Sequence, residues 1–185
     1  MNTSVIVVPT PNPDAFMFKV EEALVHTGTF EGKRGEDLSG LPLAEAILRH
    51  TGTDLVLIAP RFITVRKRPE ADWMTLRPTL VREIISFIDS GEMAVLEEAS
   101  HSVPVPQNQI ETRILELINE EIRPAIAQDG GDLEYLGFTD GVVTIRLIGA
   151  CGSCPSAMST LKMGIERLLV EEIEEVLSVV QSAEA

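Results

Sequence analysis

VVTIRLIGACGSCPSAMSTLKMGIERLLVEEI, residues 142–173, decides how the rest of the chain is read. A β-branched run, Val142 to Ile148, gives way to Gly149-Ala150. Cys151 and Cys154 follow with two residues between them, and Pro155 opens a stretch of helical period. Met158, Leu161, Ile165, Leu168 and Leu169 fall on one side of that helix. Strand, thiol pair and helix start arrive in that order, and these are the only 2 cysteines in 185 residues.

Working outward, DLEYLGF (132–138), a turn at Thr139-Asp140-Gly141 and VVTIRLI (142–148) predict a β-hairpin. EVLSVV (175–180) predicts a last strand. Upstream, Ile110, Ile114, Leu117, Ile118 and Ile122 trace one face of a helix that Pro124 must bend or break, with a stop at Asp129-Gly130-Gly131. Residues 99–109 (ASHSVPVPQNQ) lack any apolar period and read as a linker.

The first half predicts an edge strand at 3–8, halted by Pro9, Pro11 and Pro13, then strands at 15–20 and 26–30. Residues 31–41 read as a solvated loop, 43–50 as a helix behind Pro42, and 54–59 and 61–68 as two strands. A helix spans about 75–90, with Leu76, Leu80, Ile84, Phe87 and Ile88 inward and Ser90-Gly91 at its end. The expected fold class is α+β: two small mixed domains, residues 1–98 and 110–185, joined by the 99–109 linker. The second has the order α-β-β-α-β.

The net charge of -14 repels phosphate backbones and anionic lipid heads, which argues against nucleic-acid and membrane partners. Residues 1–100 hold 10 Lys+Arg against 15 Asp+Glu and residues 101–185 hold 5 against 14, so the half with the cysteines is the more acidic. No leader pattern is evident at the start, and 2 cysteines make a poor disulfide framework. The expected location is a reducing cytoplasm.

A helix N-terminus favours thiolate, the form that binds metal and attacks disulfides. Three functions are open on position and spacing: a thiol–disulfide oxidoreductase, since thioredoxins use the same arrangement; a metal or cluster site; or no chemistry. Zinc within one chain is disfavoured, because a structural site needs four ligands and only His101 accompanies the thiols in this half. An iron–sulfur cube takes four thiolates, which two copies of the chain would supply. No Ser–His–Asp set, phosphate loop or carboxylate pair points to an enzyme.

The run IRPAIAQDGGDLEYLGF…VVTIRLIGACGSCPSAMSTLKMGIERLL resembles the C-terminal domain of the NifU/Nfu iron–sulfur scaffold and carrier family. Arg123-Pro124, Asp129-Gly130-Gly131-Asp132 and Gly149-Ala150-Cys151-x-x-Cys154-Pro155-Ser156 carry the match, over roughly residues 108–181. Thr10-Pro11-Asn12-Pro13, PRFITVRK and Asp72-Trp73 are similar to the N-terminal domain of the Nfu carriers. The resemblance implies a cluster, 4Fe-4S or 2Fe-2S, held by Cys151 and Cys154 from each subunit of a homodimer. It also implies donor scaffold proteins and apo-protein acceptors as partners.

Bland readings stand beside these. Asp129 to Asp132 is explained by a helix stop, Arg66-Lys67-Arg68 by a solvated strand end, and Trp73 by packing under the following helix.

Overall fold

The computed structural model describes residues 3–96, 105–153 and 155–182. The chain divides into two compact units, Met1–His101 and Ser102–Ala185. Of the expected linker, residues 99–104 fall outside the described residues, and Gln109 already belongs to a helix.

Unit 1 is a five-stranded antiparallel sheet with two helices. Its strands are β1 (Val5–Pro9), β2 (Ala15–Val20), β3 (Phe30–Lys33), β4 (Thr53–Ala59) and β5 (Phe62–Lys67), in the order β1-β2-β5-β4-β3. The edge position read for the first strand holds. Helices α1 (Pro42–Leu48) and α2 (Trp73–Ser90) enclose a core of Phe18, Val56, Ile58, Ile63 and Val65 with Ile47, Leu80 and Ile84. Asp72 caps α2 by accepting from the Met74 N–H at 3.0 Å, and Gly91 ends it at φ 75°.

The third strand starts where it was expected to stop. Glu31-Gly32-Lys33 pairs with β4 instead of lying in a solvated loop. Glycine between two charges reads as a loop, but here it makes room. A Cβ on Gly32 would meet Leu38 Cδ2 at 2.8 Å and Ala44 Cβ at 3.3 Å, so its absence lets the next segment fold across the strand. Arg34 is likewise tied down, donating to the carbonyls of Thr53 (2.8 Å) and His50 (2.6 Å).

Unit 2 opens with α3 (Gln109–Leu117). Its start is a reciprocal cap: Asn108 accepts from the Glu111 N–H at 2.9 Å, and Glu111 accepts from the Gln107 N–H at 3.0 Å. The helix expected to bend or break at Pro124 widens into a π-helical turn, Ile118–Ile122, and resumes as α4 (Arg123–Gln128). Proline has no N–H for the carbonyl four residues back, and the wider turn accommodates that loss. Ile114, Ile118, Ile122 and Ile126 all stay buried through the change.

Strands β6 (Gly131–Thr139) and β7 (Val142–Gly149) form the expected hairpin. Asp140 (φ 50°) and Gly141 (φ 81°) give it a tight turn whose twist suits the strands. Helix α5 (Pro155–Glu172) then leads to β8 (Ser178–Gln181), which pairs parallel with β7. That strand starts three residues later than expected, because the N–H groups of Leu177 and Ser178 both donate to the Gly141 carbonyl as the chain turns in. Ile165 and Leu169 of α5 pack on Leu133, Val143, Ile145 and Leu147 of the sheet, as the sequence period predicts.

Candidate metal-cluster site

The site grows from the end of β7. Gly149, at φ 71°, turns the chain out of the strand, a conformation L-residues rarely adopt. A 3-10 turn, Ala150–Ser153, follows before α5 starts at Pro155. The Ala150 N–H donates to the Gly130 carbonyl at 3.2 Å, and Gly149 is the register partner of Gly131. The cysteine turn is thereby tied to the α4–β6 corner.

Cys151 is 3% exposed and belongs to the core of unit 2. Its sulfur lies against the backbone of Gly131: a Cβ built there would sit 2.5 Å from Sγ and 2.9 Å from the Cys151 Cβ. Gly152 makes a second close approach, since its Cβ would come within 2.6 Å of the Leu147 carbonyl oxygen. The predicted placement of both thiols at a helix N-terminus is therefore only partly matched. Cys151 precedes α5 in the 3-10 turn, and the helix dipole decays within a turn. Cys154 lies outside the described residues.

Asp129 to Asp132 does more than stop a helix. Gly130, at φ 76°, makes the turn after α4, whereas Gly131 gives up its side chain to the sulfur. Asp132, 4% exposed, accepts from Arg123 Nη1 at 2.6 Å and from the Leu133 N–H at 2.7 Å. This ion pair closes α4 onto β6 one residue from the sulfur's seat. Arg123 Nε is buried without a hydrogen-bond partner among the described residues. Sequence reasoning passed over the seat although a signal existed: one glycine suffices to end a helix, so the second needs another cause.

Tyr135, on β6, is buried with its hydroxyl unpartnered among the described residues. Burial, and then the nearby Glu111 carboxylate, push its pKa up to about 12.

In unit 1 the basic run is neutralised. Arg66 pairs with Asp54 (2.6 Å), Lys67 with Asp14 (2.8 Å) and Arg68 with Glu70 (2.8 Å), which supports the structural reading of all three. Trp73 likewise packs inward, edge-on to Phe16 at 4.9 Å, and donates to the Pro13 carbonyl at 3.2 Å. Among the described residues, no helix is long and apolar enough to cross a membrane.

Comparison with known proteins follows the same division. Residues 114–180 match the NifU-like domain, and residues 5–91 match the N-terminal domain of the scaffold protein Nfu/NifU. The chain is 37% identical over 175 residues to the human NFU1 iron-sulfur cluster scaffold homolog, mitochondrial, spanning 93% of this chain and 69% of that one. It is 35% identical over 179 residues to NifU-like protein 4, mitochondrial, of Arabidopsis thaliana, spanning 93% of this chain and 63% of the relative. The chain thus spans about two thirds of these relatives' length. A solution structure of a NifU-like protein from Saccharomyces cerevisiae is 20% identical, with TM-score 0.46, over 51% of this chain and 86% of that one.

These names correct one expectation. The relatives are called mitochondrial, so the cytoplasmic location does not stand. A low cysteine count speaks only to a reducing compartment and does not separate one such compartment from another.

Proposed function

This chain belongs to the NifU/Nfu family, and from that premise we propose that it is an iron–sulfur cluster carrier, not an enzyme. The cluster is its cargo. Cys151 and Cys154 of one subunit and the same pair of a second supply the four thiolates that a 4Fe-4S cluster takes, so the loaded form is a homodimer. Donor scaffold proteins deliver the cluster and apo-proteins receive it. A mitochondrial location, as in the names of the relatives, is consistent with this role.

The observation behind this reading is the seat of Cys151 on Gly131. A sulfur pressed against bare backbone, beneath a turn tied down by the Ala150–Gly130 hydrogen bond, has a fixed starting position. Loading requires the short 3-10 turn to present that sulfur outward, and a single turn of poor hydrogen-bond geometry is a suitable element to do so. A ligand that can return to a buried seat favours release of the cluster over permanent retention.

Anaerobic reconstitution with iron and sulfide, followed by absorbance and native mass, tests the reading. The expected product is a coloured dimer, and Cys151→Ser abolishes it. A colourless monomer, or full loading of Cys151→Ser, overturns it. The thioredoxin-like alternative predicts instead that the metal-free protein reduces insulin disulfides through a Cys151–Cys154 couple.

A further inference from the structure

Unit 1 carries a groove of about 570 Å³ between edge strand β1 and helix α2, lined by Val7, Met74, Arg77, Pro78, Val81 and Arg82. The five α2 residues recur at helical spacing and form a stripe distinct from the buried one, Leu80, Ile84 and Phe87. Met74 on α2 is 76% exposed, so the groove keeps apolar surface in water, and Ile6, which alternates with Val7 onto the other face of β1, is 60% exposed. Among the described residues, strand β1 pairs only with β2, leaving its outer N–H and C=O groups as a template for another strand.

The charge here opposes that of the molecule. In a chain of net charge -14, two arginines flank the groove. Arg77 is held over the Phe16 ring at 5.1 Å and donates to the Trp73 carbonyl at 3.3 Å, so its cation is preset. Arg82 makes no ion pair among the described residues. The nearby acids are engaged elsewhere: Asp72 caps the helix, Glu83 faces His50 at 3.4 Å and Asp89 accepts from Thr3 at 2.8 Å.

We propose that this groove is a docking site for an extended, acidic and apolar segment of a partner protein, added as a strand beside β1. Alternate side chains of such a segment would enter between Val7 and Val81, and its carboxylates would meet Arg77 and Arg82. A second copy of this chain is a poor occupant, because pairing β1 with β1 would set arginine against arginine. The proposal deepens the carrier reading by giving unit 1 a recognition surface, but it does not depend on the cysteines.

The test uses the full chain and two short capped peptides, one with Val and Glu at alternate positions separated by Ser and the other with Val and Lys so placed, followed by amide NMR shifts. The Val/Glu peptide is expected to perturb residues 5–9 and 74–82 and to protect the β1 amides from hydrogen exchange. Affinity should fall about tenfold in Arg82→Glu, an exposed position whose change leaves the fold and cluster loading intact. Arg77→Glu, which also loses the Phe16 contact, should weaken binding further. Equal binding of both peptides, shifts confined to the β3 edge, unchanged affinity in Arg82→Glu, or a β1-mediated dimer in native mass would each overturn the proposal. Loss of loading in Cys151→Ser with peptide binding retained separates the two readings.

Discussion

The two units use the same devices for different ends. In unit 1, Gly91 is a glycine for conformation: its φ is 75°, and nothing lies within 4 Å of where a Cβ would be. In unit 2, Gly131 is a glycine for proximity, with the Cys151 sulfur where its Cβ would go. Ion pairs show the same contrast. Arg66–Asp54 rests at the surface of the five-stranded sheet, with side chains 21% and 39% exposed. Arg123–Asp132 has the same 2.6 Å separation, but its carboxylate side chain is only 6% exposed. Regular sheet can be stabilised with features that are individually dispensable. The corner around the thiol depends on a few that are not.

The sharpest way to break this comparison is to remove the cation from each pair. Arg123→Met takes the cation from a buried carboxylate that keeps the Leu133 N–H, and is expected to cost about 3 kcal/mol, the lower end for breaking a buried pair because the guanidinium is partly exposed. Arg66→Met should cost less than about 1 kcal/mol. Urea unfolding resolves the two, since the sole tryptophan, Trp73, reports on unit 1 and far-ultraviolet dichroism reports on both units. Equal losses would show that burial does not distinguish the pairs.

A smaller effect comes from the glycines. Gly131→Ala forces a methyl into the sulfur's seat, and an overpacking cost of about 1–3 kcal/mol is expected. Its diagnostic is chemical: Cys151 should react faster with a thiol reagent because its seat is filled. Gly91→Ala strains only a left-handed cap, costs about 1 kcal/mol and should leave thiol reactivity unchanged. If Gly131→Ala leaves it unchanged too, the seat is not what holds the sulfur.

The effect that is smallest at neutral pH is a pH dependence confined to unit 2. The folded-state pKa of Tyr135 is raised to about 12, above the ordinary phenol value near 10, so the folded form holds the proton more tightly. That contribution is fully present below about pH 10 and is lost as pH rises towards 12. Tyr135→Phe should flatten this alkaline decline, and by deleting a buried hydroxyl with no partner among the described residues it should be neutral or slightly stabilising at neutral pH. The Trp73 unfolding curve should not move.

Periodicity made much of the fold legible. The hairpin, α2 and the inward face of α5 follow from apolar spacing, Gly91 and Asp140-Gly141, because burial and positive φ leave marks in single residues. Glu31-Gly32-Lys33 was opaque, since a glycine that admits Leu38 from a later segment is written like a loop. The π-helical turn before Pro124 was half legible: the proline announced a disturbance, but not that all four isoleucines would remain inward. At the site the thiol pair was plain, and the role of Gly131 was not. A contact between residues twenty positions apart has no local signature.

The parallel pairing of β7 with β8 has a kinetic consequence. The β6–β7 hairpin joins neighbours through a tight turn and can form early, whereas β8 cannot reach its place until α5 has crossed the sheet. The thiol turn sits where that crossover departs, between an element that folds quickly and one that must wait for loop closure. During synthesis the hairpin and the thiols leave the ribosome before the residues that finish the sheet. A newly made chain therefore holds Cys151 in an unfinished core until β8 docks, because Val179 of that strand completes the cluster in which the thiol is buried.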